Sequence, residues 1–276
     1  MGQIGLHPAC YHGNYFSEVL VMFSFALRGR IAAVVVLFGL MSAPVCAGDV
    51  RVAVASDFAA PMERIVTLFR KQSGHTVDFS LGSSGKFYAQ IKGGEPFDVF
   101  LSADEELPKR LTQEGLAVGG TRFVYALGRL VLWSAQPGLV DAKGKVLRNG
   151  SYNKLAIADP RLSPYGMAAK ETLEKLAMWN GMQRKLEKSE DITQSYQLAV
   201  IEKADLAFIA LSQIMRDGKV KDGSWWLVPP ELYRPIRQSA VLITAAQDQE
   251  AAQAFLDFLG SKQVSAIIQS FGYELP

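Results

Sequence analysis

From Val50 onward the sequence alternates short apolar runs with amphipathic stretches of helical period, a pattern that fits a parallel sheet covered by helices. Residues 50–56 (VRVAVAS) read as a strand. Residues 58–71 place Phe58, Met62, Ile65, Val66 and Phe69 on one helical face, with Pro61 tolerated in the first turn and Gly74 as the stop. A strand at 76–81, a short helix at 86–92 and a strand at 97–102 (FDVFLS) continue the rhythm, followed by a helix rich in Glu and Leu. Residues 155–158 and 205–211 repeat the strand theme, with helices at 166–179 and 192–203 between them. Two helices, 249–259 and 262–271, close the chain.

Two longer apolar stretches, 123–134 (FVYALGRLVLWS) and 238–245 (QSAVLITA), break this rhythm at the borders of two α/β units. That placement predicts an α/β fold of two lobes, each a mixed sheet flanked by helices, joined by two crossover strands. The expected division is 48–127 plus 238–276 for the first lobe and 128–237 for the second. The remaining residues, 1–47, read as a signal peptide with an upstream extension. Arg28 and Arg30 precede an apolar run at 31–41, and Val45 and Ala47 occupy the −3 and −1 positions of a cleavage site. The run is too short to span a bilayer. A lipid-attachment cysteine usually follows Gly, Ala or Ser. Val45 stands before Cys46, which argues against lipidation. A start at Met22 gives a signal of ordinary length.

Removal of residues 1–47 takes both cysteines, Cys10 and Cys46, and two of the three histidines. Thiol nucleophiles, disulfides and Cys/His zinc sites are thereby excluded from the exported chain. Its one histidine, His75, lies in a helix-to-strand turn and reads as a solvent-facing turn residue. The formal charge of +2 over 276 residues carries no nucleic-acid footprint.

Four places share one construction, a strand end followed by small or hydroxylic residues and then a helix start: Ser56-Asp57, Ser83-Ser84, Pro164-Tyr165-Gly166 and Asp191-Ile192. Helix N-termini offer unpaired N–H groups and about half a positive charge each, so facing tips can hold an anion without lysine or arginine. Taken singly, Ser56, Ser83 and Asp191 are also ordinary N-caps, and Gln194 completes a capping-box variant with Asp191. The GSSGK stretch at 82–86 is not a nucleotide loop: Ser80 replaces the first glycine of that pattern and Phe87 replaces the magnesium-binding hydroxyl. Lys86 is expected to face solvent. Glu105-Glu106 reads as an acidic first turn and Trp225-Trp226 as a loop folded onto the core.

At these residues the chain resembles the periplasmic molybdate-binding proteins of bacterial ABC transporters. The likeness spans nearly all of 49–276 and rests on VAVASDFAAPMERI, GSSGKFYAQI, FDVFLSAD, ADPRLSPYGMAAKETLEKL, LAFIALSQ and FLGSKQVSAIIQSFGYELP. It implies the two-lobed type II periplasmic binding protein fold, no catalysis, no cofactor, and molybdate or tungstate as ligand. It further implies an inner-membrane ABC permease as partner, a periplasmic location and a monomer. Ser56 and Ser84 would each supply hydroxyl and amide, and Tyr165 and Ile192 their amides, with Asp57 beside Ser56 counted among the ligand-binding residues and closure about Leu127-Gly128 and residues 239–243. Two positions depart from the pattern. Ala210 stands where many members carry a ligand-binding tyrosine, and Asp57 stands where neutral residues are usual. An ionised carboxylate repels an unprotonated dianion but welcomes a protonated oxyanion. Asp57 therefore either caps its helix with its oxygens turned away, the favoured reading, or favours phosphate. Another oxyanion such as phosphate or sulfate, an exported serine hydrolase and a sensory module without uptake are the competing readings.

Overall fold

The computed structural model describes residues 48–221 and 223–276; the expected signal segment, with Cys10 and Cys46, lies outside the described residues. The chain opens with β1 (Asp49–Ala55), a 3-10 turn (Ser56–Phe58), α1 (Ala59–Ser73), β2 (Thr76–Gly82), α2 (Ser84–Lys92), β3 (Val99–Ser102), α3 (Glu106–Gln113) and β4 (Phe123–Gly128). It continues with β5 (Leu130–Ser134), α4 (Val146–Asn149), β6 (Leu155–Ala158), α5 (Pro164–Lys175), α6 (Trp179–Met182), β7 (Leu186–Ser189), α7 (Ile192–Val200) and β8 (Leu206–Ala210). The last part comprises α8 (Leu211–Ile214), β9 (Met215–Arg216), β10 (Lys219–Val220), β11 (Ser224–Leu227), β12 (Ile236–Leu242), α9 (Gln249–Leu259) and α10 (Lys262–Ser270).

Two five-stranded mixed sheets result. The first has the order β2-β1-β3-β12-β4, and the second β11-β5-β8-β6-β7. In each, the strands that alternate with helices are parallel, whereas the border strands β4, β12, β5 and β11 pair antiparallel. Arg129 alone separates β4 from β5, and residues 228–235 link β11 to β12, so the chain crosses between the lobes twice.

The cores follow from strand alternation. Val50, Val52 and Val54 of β1 bury one face against Phe58, Met62 and Ile65 and against Phe255 of α9. Ala53 turns to the other face, where Phe87, Ile91, Phe100 and Leu111 close over it. A sheet covered on both sides reads as a near-continuous apolar run, which is why β1 and β3 were visible in the sequence. The second lobe packs Leu130, Leu132, Leu155, Ile157 and Phe208 against Ala168, Ala169 and Leu173 of α5.

Several elements differ from expectation. The stretch 97–102 begins pairing only at Val99, because Asp98 turns inward to accept the Arg51 amide at 2.7 Å and the Gln247 amide at 2.8 Å. The helix expected over 166–179 begins earlier, at Pro164, and its turn at Ala177 separates it from α6. Trp225-Trp226 is not a loop but the middle of β11, an edge strand paired to β5, with Trp226 buried and Trp225 37% exposed. His75 is not solvent-facing: it is buried, stacks on Phe69 with ring centroids 5.9 Å apart, and its Nδ1 accepts the Gly48 amide at 2.9 Å.

Candidate functional site

The four strand-to-helix corners are joined pairwise across the cleft. Thr193 at the start of α7 donates its hydroxyl to the carbonyl of Ser56 at 3.2 Å, tying the second lobe to the 3-10 turn after β1. The amide of Gly85, in the first turn of α2, donates to the carbonyl of Leu162 at 2.9 Å, in the turn that leads into α5. Ser56, Asp57, Ser83, Ser84, Tyr165 and Ile192 are all buried. At the surface of the same seam Lys86 pairs with Glu190 at 2.7 Å, so Lys86 bridges the lobes rather than facing solvent alone.

The donors at these corners are unevenly committed. Asp191 caps α7 by accepting from the amides of Thr193 and Gln194, which leaves the Ile192 amide without a protein acceptor among the described residues. The Ser163 hydroxyl caps α5 by accepting from the Gly166 amide and the Ser163 carbonyl accepts from that of Met167, which leaves the Tyr165 amide without a protein acceptor among the described residues. At α2 the Ser84 amide is likewise unclaimed. Ser84 Oγ accepts the Ala103 amide at 3.0 Å and keeps its own proton to donate. Neither serine read as a possible plain cap behaves as one: Ser56 and Ser83 make no side-chain capping bond, and Ser83 Oγ is buried with no partner. A buried orphan hydroxyl costs about 1–3 kcal/mol unless something fills its valence. Ser83 is the donor that sequence reasoning passed over. No lysine or arginine hydrogen-bonds to any of these groups among the described residues. Nor does any cluster of three or more His, Cys, Asp or Glu there suit a metal ion. The arrangement can therefore surround a small anion with neutral donors.

Asp57 overturns the capping expectation. It caps neither the 3-10 turn nor α1. Its carboxylate instead accepts from Gln238 Nε2 and, at 2.8 Å, from Tyr273 Oη. Gln238 also reaches Tyr165 Oη at 3.3 Å and accepts from Tyr125 Oη at 2.9 Å. A register shift in β12 between Gln238 and Ser239 re-aims this side chain into the hinge. Burial pushes the Asp57 carboxyl up to about 6, against the opposing pull of the Gln238, Tyr273 and Tyr165 hydrogen bonds. Burial and the neighbouring Asp57 charge raise the hydroxyls of Tyr125, Tyr165 and Tyr273 well above the usual tyrosine range. Tyr165 thus offers its amide at the helix tip and sends its ring back to the hinge, while Ala210 is buried at the end of β8.

With this geometry in hand, comparison with known proteins is decisive. The model of the bacterial extracellular solute-binding protein family matches residues 50–274. The chain belongs to that family. The molybdate-binding protein ModA of Azotobacter vinelandii is 46% identical to this solute-binding protein over 237 residues, 86% of this chain and 94% of that one. ModA of Rhodobacter capsulatus is 44% identical over 254 residues, 92% and 99% respectively. The solved periplasmic molybdate-binding protein of Azotobacter vinelandii superposes with a TM-score of 0.81 at 39% identity, covering 82% of this chain and 99% of that one. The two lobes of this solute-binding protein and its double crossover are the architecture of that structure.

Proposed function

We propose that this solute-binding protein captures molybdate or tungstate between its lobes and delivers it to an ABC permease of the inner membrane. It works in the periplasm as a monomer after export, without a resident cofactor and without catalysing a reaction. The observation that carries this reading is the meeting of four helix-tip corners from both lobes, whose Ser84, Tyr165 and Ile192 amides and Ser83 hydroxyl have no protein acceptor among the described residues. The names of the two ModA relatives support the choice of oxyanion.

Charge-assisted hydrogen bonds contribute about 1.5–3 kcal/mol each. The five donors described above would together contribute roughly 8–15 kcal/mol against the roughly 8–12 kcal/mol of a micromolar-to-nanomolar complex, and anion desolvation with lobe closure offsets the excess. The Asp57 carboxylate is engaged through Oδ2, which accepts hydrogen bonds from Gln238 Nε2 and Tyr273 Oη, and so is turned toward the hinge. The hydrolase reading finds no free histidine base among the described residues, since His75 accepts from Gly48 and stacks on Phe69.

A melting-temperature screen of the purified protein against oxyanions tests the proposal. Ligand at one hundred times its Kd stabilises by about 2.7 kcal/mol, which is about 5–10 °C for a protein of this size. Molybdate and tungstate at micromolar concentration are expected to give such a shift, and sulfate and phosphate almost none. A shift with phosphate alone would overturn the assignment.

A further inference from the structure

We propose that Gly85 is the mechanical stop of lobe closure and thereby sets the width of the anion cage. The inference rests on the oxyanion reading above and assigns its selectivity to a residue with no side chain. Gly85 follows Ser84 directly, and its amide donates to the Leu162 carbonyl at 2.9 Å across the cleft. Leu162 lies two residues before Pro164, which opens α5, and three before Tyr165. The chain beside one cage donor of the first lobe is thus joined to the chain beside one cage donor of the second, backbone to backbone.

The contact is also as close as the chain permits. A Cβ at position 85 would lie 3.0 Å from both the Cα and the carbonyl oxygen of Leu162. Both are backbone atoms, so no change of rotamer relieves the approach. The other bonds across this seam are compliant by comparison: Lys86–Glu190 uses two long exposed side chains, and Thr193 and Ser212 reach the Ser56 and Asp57 carbonyls through rotatable hydroxyls. Closure therefore ends where Gly85 meets Leu162, at a distance the protein fixes and the ligand does not. A tetrahedral dianion with long metal–oxygen bonds reaches donors on both sides. One with shorter bonds leaves some unmade, because the lobes cannot advance further onto it.

Gly85 does not occupy the left-handed backbone region, and alanine is the better helix former, so Gly85→Ala has no reason to unfold the open protein. Calorimetric titration with molybdate and sulfate, paired with small-angle scattering with and without molybdate, provides the test. The variant is expected to bind molybdate at least tenfold more weakly, with a narrower preference over sulfate. Molybdate-induced compaction should be smaller, while the ligand-free melting temperature and radius of gyration match the parent. Lys86→Ala, which removes a cross-lobe ion pair but not the stop, should change affinity by less than about twofold. Parent-like affinity and compaction in Gly85→Ala would overturn the stop while leaving the oxyanion reading intact. Failure of the parent itself to respond to any oxyanion would remove both.

Discussion

Gly166→Ala is expected to destabilise the protein by about 3 kcal/mol or more and to weaken oxyanion binding roughly ten- to a hundredfold. A Cβ at position 166 would overlap the carbonyl oxygen of Ala158, with the Asp159 carbonyl carbon also inside van der Waals distance. These are backbone atoms at the end of β6, so the first turn of α5 has to lift off the sheet. Overpacking of this kind costs about 1–3 kcal/mol when side chains can yield, and more when they cannot. The melting temperature should fall by about 6–12 °C. The functional loss follows from the same displacement. Tyr165 precedes Gly166, and moving its amide removes one charge-assisted bond, about 1.5–3 kcal/mol or roughly ten- to a hundredfold in affinity. Thermal unfolding and calorimetric titration check both halves. A variant that melts and binds like the parent would show that the tip of α5 is not seated where this geometry puts it.

Asp57→Asn is expected to stabilise the protein at pH 7.5 and to tighten oxyanion binding there, with both gains vanishing near pH 4. The folded-state value of about 6 lies above the ordinary 3.8, so the folded protein holds the Asp57 proton more firmly than the unfolded chain does. The associated stability is fully present below about pH 3.8 and is lost as pH rises through about 6. Two units correspond to about 3 kcal/mol, an order-of-magnitude figure. The groups that face the carboxylate are Gln238, Tyr273 and Tyr165, all neutral donors, with Tyr125 beyond Gln238 and Ser212 on Tyr273. No cation is hydrogen-bonded to it among the described residues, so neutral donors alone offset the burial of the ionised form. A dianion bound beside Ser56 raises the cost of that ionisation further. Parent affinity should therefore climb as pH falls through about 6, with proton uptake on binding, and the asparagine variant should show neither. Titrations in buffers of different ionisation enthalpy measure the proton directly. Equal pH dependence in parent and variant would place the carboxylate outside the ligand's field.

Strands buried on both faces were legible in the sequence, since β3, β6 and β8 are near-continuous apolar runs and β1 is apolar from Val50 apart from Arg51. Two edge strands of the second sheet, β7 and β11, were not, whereas β2 and β4, the edges of the first, were readable from their own residues. β11 is flanked by Gly223 and Pro229, and what makes it a strand is pairing with β5, about ninety residues earlier, which local pattern cannot register. β7 carries Glu187 and Lys188 as an edge strand should, and its polarity hid it. At the site, the strand-to-helix corners were readable because small hydroxylic residues before a helix have a local meaning. The roles inside each corner were not. Which hydroxyl of the Ser83-Ser84 pair is consumed by the fold depends on the Ala103 amide, and the fate of Asp57 depends on Gln238 and Tyr273, 181 and 216 residues away. His75 was misread for the same reason, its cover being Phe69 and Gly48.

The most direct test of neutral backbone donors as the anion-binding principle is a crystal of the tungstate-loaded protein, with data collected at the tungsten absorption edge. The anomalous peak is expected between the lobes, its oxygens within hydrogen-bond distance of the Ser84, Tyr165 and Ile192 amides and of the Ser83 hydroxyl. A peak held by a lysine or arginine side chain, or one lying away from these helix tips, would contradict it.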